Sequence, residues 1–219
     1  MELKNKTINF LGDSITEGCG TSCNEAIFHS VLKERYGLKE ARNYGKGGTR
    51  IARQGEITSL VRDSDFILRA SLMDHNADAV VVFGGTNDFG SGQAPLGFPE
   101  DRGLYTFYGA LHTLIQYLIG EYCGKQIIFI TPLHRHNENG GLGTWKPDGV
   151  EQRPLKDYVK AVKDVCEHYS VPVLDLFGSG ELAGNTPEFY KEYMPDGLHP
   201  NDKGHAIMAH KLGKLLENL

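Results

Sequence analysis

The sequence contains no apolar run approaching the roughly 18 residues that a membrane-spanning helix needs. Cysteine is scarce: Cys19, Cys23, Cys123 and Cys166 form neither a CxxC zinc pattern nor a disulfide framework. Unpaired thiols in a reducing compartment are therefore expected. Positive charge is not in excess. A net charge of −5 and a pI of about 6.0 argue against nucleic acid or an anionic membrane surface as the main partner. No internal repeat, charge block or Pro/Ser-rich linker interrupts the chain, so a single domain over residues 1–219 is expected. Residues 1–6 are polar, and Thr7–Leu11 is too short and polar for the core of a signal peptide. The expected location is cytoplasmic, or secreted with a signal peptide already removed.

What the chain does have is a sizeable apolar fraction and an excess of glycine. At 40% hydrophobic residues it can bury a core, which excludes intrinsic disorder. Glycine makes up 27 of 219 residues, against a usual level of about 7%. Short apolar runs alternate with stretches of helical period, as in α/β proteins. The runs are Ile8–Leu11, a weaker Ala41–Tyr44, Ala79–Phe83, Ile127–Ile130 and Val171–Leu174. The third and fourth are continuously apolar, as strands of a parallel sheet covered on both faces should be. Helical spacing recurs over 104–118, over 155–169 and from about Pro200 to Leu216. Twenty of the 27 glycines fall in the loops that follow the five strands, and two of those loops, Gly90–Gly103 and Leu133–Arg153, are long. Ligands of open α/β sheets bind beyond the carboxyl ends of the strands, so these loops are where chemistry is expected.

Each loop carries a weak signal. Gly12-Asp13-Ser14-Ile15-Thr16 follows the first strand, with a serine at the mouth of a helix, although Asp and Ser there are most often caps. Asn43-Tyr44-Gly45-Lys46-Gly47-Gly48 follows the second and allows positive φ and close backbone approach, as any tight turn would. Gly84-Gly85-Thr86-Asn87-Asp88 follows the third; its Asn can brace a turn or aim an amide N–H at an oxyanion. Asp196-Gly197-Leu198-His199-Pro200 lies beyond the fifth. A carboxylate three residues before a histidine can hold Nδ1 and leave Nε2 as a base. Four strand ends thus carry a nucleophile, a base with its orienter, and oxyanion donors, the parts that acyl transfer requires.

These four blocks, in this order and over nearly the whole chain, resemble the SGNH hydrolases, the GDSL-type esterases and lipases. The resemblance implies a three-layer α/β/α, flavodoxin-like fold with a five-stranded parallel sheet in the order 2-1-3-4-5. It implies Ser14 as nucleophile, His199 as base and Asp196 as its orienter. The oxyanion hole is implied at the N–H of Ser14, the N–H of Gly48 and the side chain of Asn87; neighbouring Gly47 leaves the choice of glycine open by one residue. Ile15 stands where the name-giving motif has leucine, and neither a GxSxG elbow nor a P-loop occurs. The expected reaction is hydrolysis of short-chain, above all acetyl, esters of a carbohydrate or similar polar alcohol. A lysophospholipase or thioesterase activity, or a non-catalytic binding domain, are the alternatives. Asp13, His134, Trp145 and Phe98 are candidate substrate contacts. No cofactor is expected, and no metal, because His134 and His136 lack a third ligand. The expected partner is a small-molecule or carbohydrate ester.

Overall fold

A computed structural model describes residues 1–55, 64–140, 146–182, 184 and 186–219. In chain order the elements are β1 (Thr7–Gly12), α1 (Ser14–Glu17), α2 (Phe28–Tyr36), β2 (Glu40–Gly45), α3 (Phe66–Ser71), β3 (Ala79–Phe83), α4 (Thr86–Ser91), α5 (Phe107–Glu121), β4 (Gln126–Ile130), α6 (Leu155–His168), β5 (Val173–Leu174), α7 (Pro187–Tyr193) and α8 (Asp202–Glu217). The strands form one parallel sheet in the order β2-β1-β3-β4-β5. β1 lies between β2 and β3 and is buried along its length, with Phe10 opposite Asn43 of β2 and Val81 of β3.

Strand side chains alternate between faces, so one apolar run feeds two cores. Ile8, Phe10, Val81, Phe83 and Ile128 pack with residues of α2, α7 and α8. Leu11, Val80, Val82, Ile127 and Phe129 pack with α3, α5 and α6 on the other face. The expected three-layer order is what the chain adopts.

Boundaries differ where a local rule wins. β5 shrinks to Val173–Leu174, because Pro172 has no N–H to give; its carbonyl still accepts from Phe129 N at 3.0 Å. The last helix begins at Asp202, two residues later than expected, capped by Asn201 Oδ1 on the N–H groups of Lys203 and Gly204. Among the described residues no helix is long and apolar enough to cross a membrane.

Candidate active site

The chain leaves β1 at Gly12 and turns at once into α1. Asp13 caps that helix, its Oδ1 accepting from Ile15 N at 3.0 Å. Ser14 is thereby held as the first helical residue, 8% exposed. Its N–H is one of the orphan donors of a helix start and meets no protein acceptor among the described residues. α1 rests directly on the end of β2. A Cβ on Gly45 would come within 2.1 Å of Glu17 N, so only glycine fits there.

Beyond α7, Asp196 folds its own loop. Its Oδ1 accepts from Leu198 N at 2.9 Å and His199 N at 2.7 Å, and its Oδ2 lies 2.6 Å from His199 Nδ1. Burial pushes this carboxyl up, but the His199 and Leu198 hydrogen bonds and the charge of His199 outweigh it and hold it below the usual carboxylate range. An ionised carboxylate only accepts, so Nδ1 is the donor and Nε2 keeps its lone pair. Nε2 lies 2.9 Å from Ser14 Oγ, where it accepts the hydroxyl proton. The three side chains form one relay across 185 residues of sequence.

The loop after β2 closes the other side. Glu17 Oε2 accepts from Gly47 N at 2.6 Å. Gly48 has φ +75°, and its N–H is donated to no described protein acceptor. The glycine ambiguity left by the sequence has a physical answer: the Gly47 N–H is occupied and the Gly48 N–H is not. Asn87, at the start of α4, gives one Nδ2 hydrogen to Thr49 O at 3.0 Å. An amide nitrogen has two hydrogens, so one remains.

Asp88 and Arg69 hold this loop in place. Asp88 is buried and accepts from Ile51 N at 3.0 Å and Ala52 N at 2.8 Å. Burial raises its pKa, and those two N–H groups and the charge of Lys146 oppose the rise. Arg69 donates to Gly12 O and Thr49 Oγ1, each at 2.9 Å, and to Tyr44 O, tying the ends of β1 and β2 to the same loop. Burial brings its pKa down to about 10. Asp88 was legible beside Asn87 in the GGTND block. Arg69 sits in an ordinary amphipathic helix and offered no signal.

The candidate substrate contacts fare differently. Asp13 is 1% exposed, and burial pushes its pKa up to about 6 against the Ile15 N–H. A buried cap does not touch substrate, so its place is beneath α1, supporting Ser14. His134 stacks on Phe177 with ring centroids 3.8 Å apart and has Nδ1 2.8 Å from Glu138, an arrangement that braces the loop after β4. Phe98 is 71% exposed and lines a cleft of about 670 Å³ with Leu96, Asp101 and Tyr108. Trp145 lies outside the described residues. Against the far side of the Asp196–His199 loop, His136 donates its N–H to Gly197 O at 2.8 Å and walls a cleft of about 560 Å³ with Tyr190 and Pro195. Among the described residues no cluster of His, Cys, Asp or Glu could hold a metal ion.

Solved structures share this arrangement of strands and helices over their full length. A protein from Lactobacillus plantarum is 30% identical, with a TM-score of 0.83 and 98% of each chain covered. A lipase/acylhydrolase from Enterococcus faecalis is 20% identical, with a TM-score of 0.65 and coverage of 97% of this chain and 96% of that one. A carbohydrate acetylesterase family member from Sinorhizobium meliloti is also 20% identical, with a TM-score of 0.63 and coverage of 96% and 97%. No curated protein sequence is significantly similar to this chain. The GDSL-like lipase/acylhydrolase family model matches residues 10–207, nearly the whole chain, and the protein belongs to that family of ester-hydrolysing enzymes.

Proposed function

We propose that the protein hydrolyses short-chain esters, acetyl esters above all, of a carbohydrate or similar polar alcohol, through an acyl-enzyme on Ser14. The observation that carries the reading is the relay from Ser14 Oγ through His199 to Asp196, at 2.9 and 2.6 Å. His199 Nε2 takes the hydroxyl proton as Oγ attacks the acyl carbonyl, and then gives it to the departing alkoxide. Water repeats the attack on the acyl-enzyme with the same base and releases the acid. Asp196 holds the ring and balances the imidazolium. The negative oxygen of each tetrahedral intermediate is received by the N–H groups of Ser14 and Gly48 and by the remaining Asn87 hydrogen.

The preference for a short acyl chain is supported by what the surface lacks. The exposed large apolar side chains among the described residues are Leu68 and Leu72 on and beside α3, Phe98 and Tyr105 before α5, Ile119 on α5, and Leu219. Among the described residues they lie on different elements rather than along one continuous apolar segment. The E. faecalis and S. meliloti proteins carry different substrate names on this same fold, so fold alone does not choose between lipid and sugar.

The test is labelling by a fluorophosphonate probe together with rates on 4-nitrophenyl esters of rising chain length. Labelling lost in Ser14→Ala and kcat/KM highest for acetate or propionate are expected. A Ser14→Ala variant that still turns over would sink the nucleophile. A maximum at octanoate or beyond would favour a lipolytic enzyme.

A further inference from the structure

Arg135 stands five residues beyond the end of β4, in the loop that faces α4. Its Nη1 donates to the carbonyl and hydroxyl oxygens of Thr86, at 3.2 and 3.1 Å, and Thr86 is the residue before Asn87. Its Cζ lies 5.5 Å from the centre of the Phe89 ring, so one face of the guanidinium is covered. Room for it is made by Gly90, where a Cβ would come within 2.9 Å of Nη1. A glycine inside a helix is unfavourable by about 1 kcal/mol relative to alanine, and here the missing side chain is filled by the guanidinium.

The group is half-buried yet makes no ion pair among the described residues. Arg42, Arg53 and Arg153 each lie against a carboxylate. Arg69, which has none, spends its donors on Gly12 O, Tyr44 O and Thr49 Oγ1. Arg135 Nη2 meets no described acceptor, and its Nε makes only a 3.4 Å contact with His136 O. Half-buried guanidinium groups are ordinarily paired. Burial lowers the Arg135 pKa while the charges of Asp13, Tyr190 and Asp196 oppose that, which puts the guanidinium within electrostatic reach of the residue before the nucleophile and of the relay carboxylate.

We propose that Arg135 is an anion-binding subsite of this esterase, its uncommitted Nη2 edge receiving a carboxylate on the alcohol part of the substrate, close to the ester that is cleaved. This rests on the esterase reading above, in which the acetyl group carries no charge and the anion must sit on the alcohol. A single guanidinium balances a single negative charge, and its planar edge matches a carboxylate. Lys146, which reaches α4 from the loop after β4, is spent on the carbonyls of Asp88, Gly92 and Ala94.

The matched probes are 3-acetoxybenzoate and 3-acetoxybenzamide, with phenyl hydrogen succinate carrying the charge on the acyl side instead. In the wild type, kcat/KM is expected to favour 3-acetoxybenzoate over the amide at least tenfold, mainly through KM. That ratio should fall to near one in Arg135→Gln, whatever the neutral ester itself loses, and return in part in Arg135→Lys. A ratio near one in the wild type overturns the subsite, as does a ratio that survives Arg135→Gln. A charge preference seen only with the succinate overturns its placement on the alcohol. Calorimetric binding of 3-hydroxybenzoate to Ser14→Ala, lost in Ser14→Ala/Arg135→Gln, needs no turnover. Carboxylate binding without hydrolysis of any ester would sink the esterase reading alone; hydrolysis without carboxylate binding would sink the subsite alone.

Discussion

Asp13 shows how one side chain serves a site without reaching the substrate. Its carboxylate caps α1 and is buried, with a pKa pushed up to about 6 from 3.8. A carboxyl whose folded pKa is raised contributes stability that is complete below pH about 4 and lost as pH rises through 6. The loss by pH 8 amounts to about 3 kcal/mol. Asparagine caps a helix equally well and never ionises. Asp13→Asn is therefore expected to gain on the wild type by up to that amount in urea unfolding at pH 8, and to gain nothing below pH about 4; parallel pH profiles would contradict the burial argument. Asn87 stands at the same scale, and the proposed mechanism puts the amide hydrogen it does not give to Thr49 O on the oxyanion. Asn87→Ala should retain Ser14 labelling while kcat falls roughly 10²–10³-fold, the usual loss for one oxyanion donor. A fall in KM alone, with kcat unchanged, would remove it from that role.

At the scale of elements, α4 and the loop after β2 behave as one unit. Asp88 Oδ1 and Oδ2 receive two successive backbone N–H groups, and Asn87 reaches back to Thr49 O. The loop that presents Gly48 is thus referenced to the helix that presents Asn87. Asp88→Asn turns an N–H donor towards one of those two backbone N–H groups. It is expected to lower kcat roughly 10- to 100-fold with a smaller change in KM, and hydrogen exchange at Ile51 and Ala52 should speed up. Exchange unchanged with kcat lowered would mean that Asp88 acts by another route.

Elements also show why part of the fold was readable. β3 and β4 are unbroken apolar runs, and α6 carries a strong apolar stripe, so both kinds of period stood out. α2 did not, because the only residues it buries are Phe28, His29 and Leu32, one of them a histidine in the place of an apolar residue. α4 opens with the Thr86-Asn87-Asp88 block and holds Gly90, which reads as loop. The blocks themselves were legible because acyl transfer restricts which residue types can serve, and their order along the chain is the one that resembles the GDSL-type family. The groups that hold them, Arg69 and Glu17, act through backbone carbonyls and N–H groups, and such pairings leave no pattern in a sequence.

For the molecule as a whole, the acid limit of stability should be set by two histidines in one core. His29 on α2 and His205 on α8 flank Phe28; Phe28 N donates to His205 Nδ1 at 3.1 Å, which requires a neutral ring there. Burial pushes each pKa down to about 4 from 6.5. A depressed folded pKa gives stability that is present above pH 6.5 and lost as pH falls through 4. Between pH 7 and 5 the loss is about 2 kcal/mol per histidine. Chemical unfolding at the two pH values should show a net loss, part of it offset as Asp13 takes up its proton, and His29→Gln should remove about 2 kcal/mol of that loss. An unchanged pH dependence in that variant would exclude His29 as a source.

The relay from Ser14 to His199 spans 185 residues. A growing chain releases the proposed nucleophile early and its proposed base only after every strand of the sheet has been made. Until then Ser14 is an ordinary hydroxyl, with no proton acceptor and no finished oxyanion hole. On the proposed mechanism a chain cut before His199 hydrolyses no ester, and ester turnover reports completed folding of the whole sheet.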